Sequence, residues 1–142
     1  MDNSGILSVK YGRIHSMTPR QQSIILSKAL KSAKGADVKV YDVRGQSSLA
    51  DYFIVATGAA APHLKALVAS SQCAMKENGI LSYRTSGEPD SGWIVVDYVD
   101  VVVHVFSEEA RVYYGLERIW SEMVSARKSQ ANEKPAASRR PR

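Results

Sequence analysis

Trp93-Ile94-Val95-Val96-Asp97-Tyr98-Val99-Asp100-Val101-Val102-Val103-His104-Val105-Phe106 decides the fold of this chain. Two β-branched, apolar runs flank a short polar interruption, the pattern of two strands folded back on each other through a tight connection. With Tyr98 and Val99 as a two-residue loop, Asp97 faces Asp100, Val95 faces Val102 and Trp93 faces His104. One side of the sheet then carries two acids, an indole and an imidazole. Like charges directly opposite each other destabilise a sheet, so three settings suit the acid pair: a solvated hairpin tip, a basic protein partner, or a shared proton or metal. No third ligand stands at metal-site spacing, and neither metal nor cofactor is expected. Trp93 reads equally as a core indole or an interface anchor, and His104 as a hydrogen-bonded packing residue.

After the hairpin, Ser107-Glu108-Glu109 opens a final helix with a capping serine and acids in its first turn. It breaks at Gly115 and resumes through Leu116, Ile119, Trp120 and Met123. Before the hairpin, residues 85–92 read as a loop and residues 80–84 as a short strand. A long helix starts near Pro62, keeps helical spacing through Leu64, Leu67, Val68, Ser71 and Met75, and stops at Asn78-Gly79. Cys73 falls within it and is expected to be a small buried hydrophobe; His63 is expected to be a local cap. Val38 to Val43 and Asp51 to Thr57 read as paired strands, with turn chemistry at Arg44-Gly45-Gln46-Ser47-Ser48. Thr18-Pro19-Arg20-Gln21 is a capping box, and Gly35 is expected to end that first helix as a left-handed cap. The order α-β-β-α-β-β-β-α predicts an α/β fold, a single mixed β-sheet flanked by helices.

The formal charge of +5 resolves unevenly along the chain. Residues 127–142 hold six Lys and Arg against Glu133, so they carry the whole excess, while residues 21–126 net −2. A flexible segment is expected over residues 1–17, one domain over 18–125, and a disordered basic tail over 126–142 with accessory affinity for RNA phosphates. No apolar run approaches the roughly eighteen residues of a membrane helix, and no signal-peptide pattern opens the chain. A nucleophile with its base and orienting group cannot be assembled from any spacing.

Three blocks together resemble the ribosomal silencing factor family, also called Iojap-like: Tyr41 to Gly58, which includes Asp42-Val43-Arg44-Gly45-Gln46-Ser47-Ser48-Leu49-Ala50-Asp51, then Trp93 to Phe106, then Tyr114-Gly115-Leu116-Glu117-Arg118-Ile119-Trp120-Ser121. The resemblance spans roughly residues 20–124. It implies a fold like that of nucleotidyltransferases without their activity, commonly a homodimer; Asp2 and the short segment before the domain favour a bacterial cytoplasm over an organelle. It also implies binding to large-subunit ribosomal protein fourteen, which blocks joining of the small and large subunits and represses translation. On this expectation Trp93, Asp97, Tyr98 and Asp100 form the contact with the ribosomal protein. The alternative is a metal-dependent nucleotidyl or phosphoryl transferase that uses Asp97 and Asp100. Val99 stands where the family usually has glycine, and Ala59-Ala60-Ala61-Pro62 replaces a more polar stretch before His63.

Overall fold

The structure, a computed structural model, describes residues 17–138, and only the helical backbone beyond residue 131. Thr18 caps helix α1 (Pro19–Ser32): its hydroxyl accepts the Gln21 N–H at 3.1 Å, and the Gln21 side chain takes the Thr18 N–H at 2.9 Å. This is the expected capping box. The chain continues through β1 (Ala36–Asp42), β2 (Tyr52–Gly58), α2 (Ala61–Glu77), β3 (Arg84–Glu88), β4 (Trp93–Asp97), β5 (Val101–Ser107), α3 (Glu108–Tyr114) and α4 (Leu116–Ser138). The strands form one sheet in the order β1-β2-β5-β4-β3. Only β2 and β5 run parallel, so the sheet is mixed, as the sequence predicts.

The central strands are apolar on both sides because both sides are covered. On one side α1 supplies Leu26 and Leu30, and α2 supplies Leu64, Leu67 and Met75, over Ile54, Ala56, Val101, Val103 and Val105. Each such fully buried side chain contributes about 1.5–3 kcal/mol relative to exposure. On the other side α3 and α4 bring Ala110 and Trp120 onto Phe53, Val55, Val102 and Phe106. Two helices approach closely where Gly35 sits, since a β-carbon there would lie 2.9 Å from the Leu30 carbonyl oxygen and 3.1 Å from Leu67 Cδ2. Gly35 is therefore a packing glycine, and the left-handed position falls on Lys34 (φ 70) instead.

Three other expectations are corrected. The strand placed at 80–84 begins at Arg84 and occupies the stretch read as loop, because an exposed edge strand needs only backbone pairing with β4 and shows no apolar alternation. Cys73 is exposed, on the side of α2 away from Leu67, Ser71 and Met75. The final helix breaks at Gly115 (φ 56) and resumes as α4, as the sequence predicts. Order also passes the expected boundary at residue 126: Arg127 pairs with Asp42 at 3.3 Å, and Gln130 accepts a hydrogen bond from Gln46 at 2.6 Å. Residues three apart share a helix face, and this one meets the end of β1 and the turn that follows. Residues 1–16 and 139–142, with most of the expected tail charge, lie outside the described residues.

Candidate protein-docking face

The β4–β5 hairpin turns one residue later than expected. Trp93 pairs with Phe106, Val95 with His104 and Asp97 with Val102. The Tyr98 N–H donates to the Val101 carbonyl at 2.9 Å, and the Asp100 N–H reaches back to the Tyr98 carbonyl at 3.0 Å. That second bond closes a γ-turn on Val99, whose φ of 78° is hostile to a β-branched side chain. Two features hold the turn there. The Asp97 carboxylate accepts the Val99 N–H at 2.7 Å, and the Asp100 carbonyl accepts the Asp51 N–H at 2.8 Å.

This register separates the four residues assigned to one contact. Asp97 faces Val102 rather than Asp100, which removes the cross-strand acid pair. Asp100 is exposed in the turn, where partial burial and the nearby Asp51 charge push its carboxyl above the usual carboxylate range. Tyr98 points into the helix-covered core: it is 4% exposed, its hydroxyl lies 3.1 Å from Ser71 Oγ, and burial raises its pKa to about 12. It is not available to a partner. Among the described residues no group of three or more His, Cys, Asp or Glu is placed to hold a metal ion, and no helix is long and apolar enough to cross a membrane.

Trp93 and His104 do meet, diagonally across the strands. The indole N–H donates to His104 Nδ1 at 3.1 Å, which leaves the imidazole proton on Nε2 and the ring neutral. Burial pushes the His104 pKa down to about 4, in keeping with a packing residue. The Trp93 ring lies 5.2 Å from Phe106 and 4.5 Å from Tyr114, and Trp120 lies 4.8 Å from His104 and 4.9 Å from Phe53. Each aromatic contact adds about 0.5–1.5 kcal/mol beyond burial. The rings form one connected layer that reaches the surface at Trp93 and Tyr114.

The elbow between α3 and α4 sets where the cover stops. Arg111 grips Glu117 through Nε at 2.6 Å and a second nitrogen at 3.0 Å, and also donates to Thr57 Oγ1 at 2.8 Å. Tyr41 donates to the same carboxylate at 2.5 Å. The Arg111 hydrogen bond holds Glu117 below the usual carboxylate range against the opposing effect of burial. So fastened, α3 and α4 lie over β1, β2 and β5 and leave β4 half-covered. Trp93, Val95 and Asp97 remain partly exposed beside the open edge strand β3, where Arg84, Ser86 and Glu88 stand opposite Asp97, Val95 and Trp93. Tyr114 extends this strip onto the elbow, and Val112 and Tyr113 are about four-fifths exposed next to it, at 78% and 80%. The sequence reading missed Tyr114 and the Arg111–Glu117 clamp; the aromatic pair just before a helix-breaking glycine was the available signal.

Residues 16–142 match the family model described as "Ribosomal silencing factor during starvation". The chain belongs to the ribosomal silencing factor family. It is 35% identical over 104 residues to ribosomal silencing factor RsfS of Bacillus subtilis, covering 72% of this chain and 88% of that one. It is 27% identical over 100 residues to a mouse protein named mitochondrial assembly of ribosomal large subunit protein 1, covering 68% of this chain and 44% of the relative. A crystal structure from Chromobacterium violaceum superposes with a TM-score of 0.70 at 37% identity, over 74% of this chain and 88% of that one. Of β4, the helices leave Trp93, Val95 and Asp97 half-covered beside the exposed edge strand β3.

Proposed function

We propose that this protein represses translation by binding large-subunit ribosomal protein fourteen and sterically blocking the joining of the small subunit, without catalysing a reaction. Family membership supports the ribosomal partner, and the uncovered β4 strip is the observation that supports its placement. Trp93 supplies a rigid aromatic anchor of the kind that dominates protein interfaces. Val95 and Tyr114 add apolar area, while Asp97 and Asp100 give the rim an acidic end. Ribosomal proteins are typically basic, so acidic residues there favour encounter and select against acidic partners. Tyr98 drops out of the contact because it is buried.

The bacterial relatives support a bacterial cytoplasm as the place of action. The family resemblance supports a homodimer, which sedimentation equilibrium tests. The decisive assay is light scattering of purified small and large subunits. A stoichiometric amount of the protein should prevent their joining when added first to large subunits, and immobilised protein should retain purified ribosomal protein fourteen. Joining at an undiminished rate would defeat the proposal.

A further inference from the structure

Charge that nearly cancels along the chain does not cancel in space. On α1, Arg20, Ile24, Ser27, Lys28 and Lys31 recur every three or four residues and share one face of the helix. That face and Ile24 look across to Val40 and Asp42 of β1 and to Arg44 and Tyr52, enclosing a groove of about 560 Å³. Arg20, Lys28, Lys31 and Arg44 line it against the single carboxylate of Asp42, a net +3. The carboxylate is already engaged, 2.7 Å from Arg44 and 3.3 Å from Arg127. Arg20, Lys28 and Lys31 are exposed and make no ion pair among the described residues. Three unneutralised cations on one helix face repel one another, and a bound polyanion relieves that repulsion.

We propose that this α1–β1 groove binds the phosphodiester backbone of RNA. The row from Arg20 to Lys31 covers eleven residue steps, about 16 Å at the helical rise. That length is enough to pass several phosphates of one strand. Arg44 already holds Asp42 through Nε at 2.8 Å and Nη2 at 2.7 Å, so only the outer edge of its guanidinium, Nη1 with the remaining Nη2 hydrogen, is left for phosphate oxygens. Its far side is stacked over the Tyr52 ring at 5.2 Å, and Tyr52 is only 4% exposed. The groove thus offers no aromatic face for a base to stack on, so it holds backbone and does not read sequence. The same lack of an aromatic anchor disfavours an acidic protein as occupant. The groove is also spatially separate from the Trp93 strip: α1 packs on the opposite side of the sheet, and β1 is the opposite edge from β3. Both surfaces can be occupied together, and either proposal can fail without the other.

The test is fluorescence anisotropy of a labelled short RNA duplex with the full chain, titrated between about 50 and 200 mM salt. A Lys28→Glu/Lys31→Glu variant is compared with Lys65→Glu/Lys76→Glu, which makes the same charge change at exposed positions of α2 and keeps both chain ends. The groove variant should lose at least about tenfold in affinity and lower the slope of log affinity against log salt by about two, while the α2 variant changes affinity by less than about threefold. A Lys28→Ala/Lys31→Ala variant should rank the same way with a smaller loss, in case the glutamates disturb folding. Equal losses in both glutamate variants, no loss in either, or competition by poly-glutamate as effective as unlabelled RNA would each overturn the assignment.

Discussion

On one side of the sheet, α1 and α2 lay leucine and methionine over Ile54, Val103 and Val105 and leave no central strand uncovered. On the other side, α3 and α4 lay Trp120 over Phe53 and His104 and stop short of β4. The difference lies in what fills each side. Aliphatic side chains interdigitate and close, so the first side is a sealed core, with the proposed RNA groove confined to its α1–β1 edge. The second is built of rings that remain rigid at an open boundary, where Trp93 can be both packed and reachable. Stability should therefore reside mainly on the first side and docking of the ribosomal protein on the second.

The largest effect should come from the closed side. Leu67 is 0% exposed, and Leu67→Ala should lower unfolding free energy by about 3 kcal/mol in urea titrations, with large-subunit binding by the folded fraction unchanged. A binding loss at full folding would break the division between faces. The aromatic side should respond to acid instead. His104 is neutral when folded and titrates near 4, below its unfolded value near 6.5. The unfolded state therefore takes up the proton first as pH falls. This contribution is fully present above pH 6.5 and is lost between about 6.5 and 4, roughly 2–3 kcal/mol by pH 4.5. Denaturation at pH 7.5 and 4.5 should show this loss in the native protein and a smaller one in His104→Phe.

Arg111→Ala sharpens the role of the elbow. It strips Glu117 of its paired hydrogen bonds and should cost about 2 kcal/mol, with Tyr114 released and large-subunit affinity reduced through position rather than contact. Arg111→Lys should not restore it, since a single ammonium cannot hold Glu117 and Thr57 in the same fork. The smallest change is expected at the hairpin tip. Val99→Gly removes a β-carbon from the left-handed region and should stabilise by about 1 kcal/mol, read as a rise in Tm.

Much of this was legible from sequence where local chemistry decides the outcome. The capping box at Thr18, the stop at Asn78-Gly79, the break at Gly115 and the pairing of β1 with β2 all follow from residues within a few positions of one another. The hairpin register was not legible, because it hangs on Val99 accepting a positive φ that its side chain disfavours. Bonds from Asp51 and Asp97 hold the turn there, and Asp51 lies far away in sequence, in the bend before β2. The shift carried Tyr98 into the core and parted Asp97 from Asp100. β3 was misplaced for the opposite reason, since an exposed edge strand leaves no hydrophobic pattern. The basic groove was hidden because its cations come from α1 and from the turn after β1, with acids between them in sequence.

The most direct test of the central claim is co-sedimentation with isolated large ribosomal subunits, comparing Trp93→Ala with Lys65→Ala on the outer surface of α2. Trp93→Ala should remain folded and lose at least about tenfold in affinity, as expected of an interface anchor, while Lys65→Ala binds as the native protein does. Native-like binding by a folded Trp93→Ala protein would show that the partner docks elsewhere and would contradict the account.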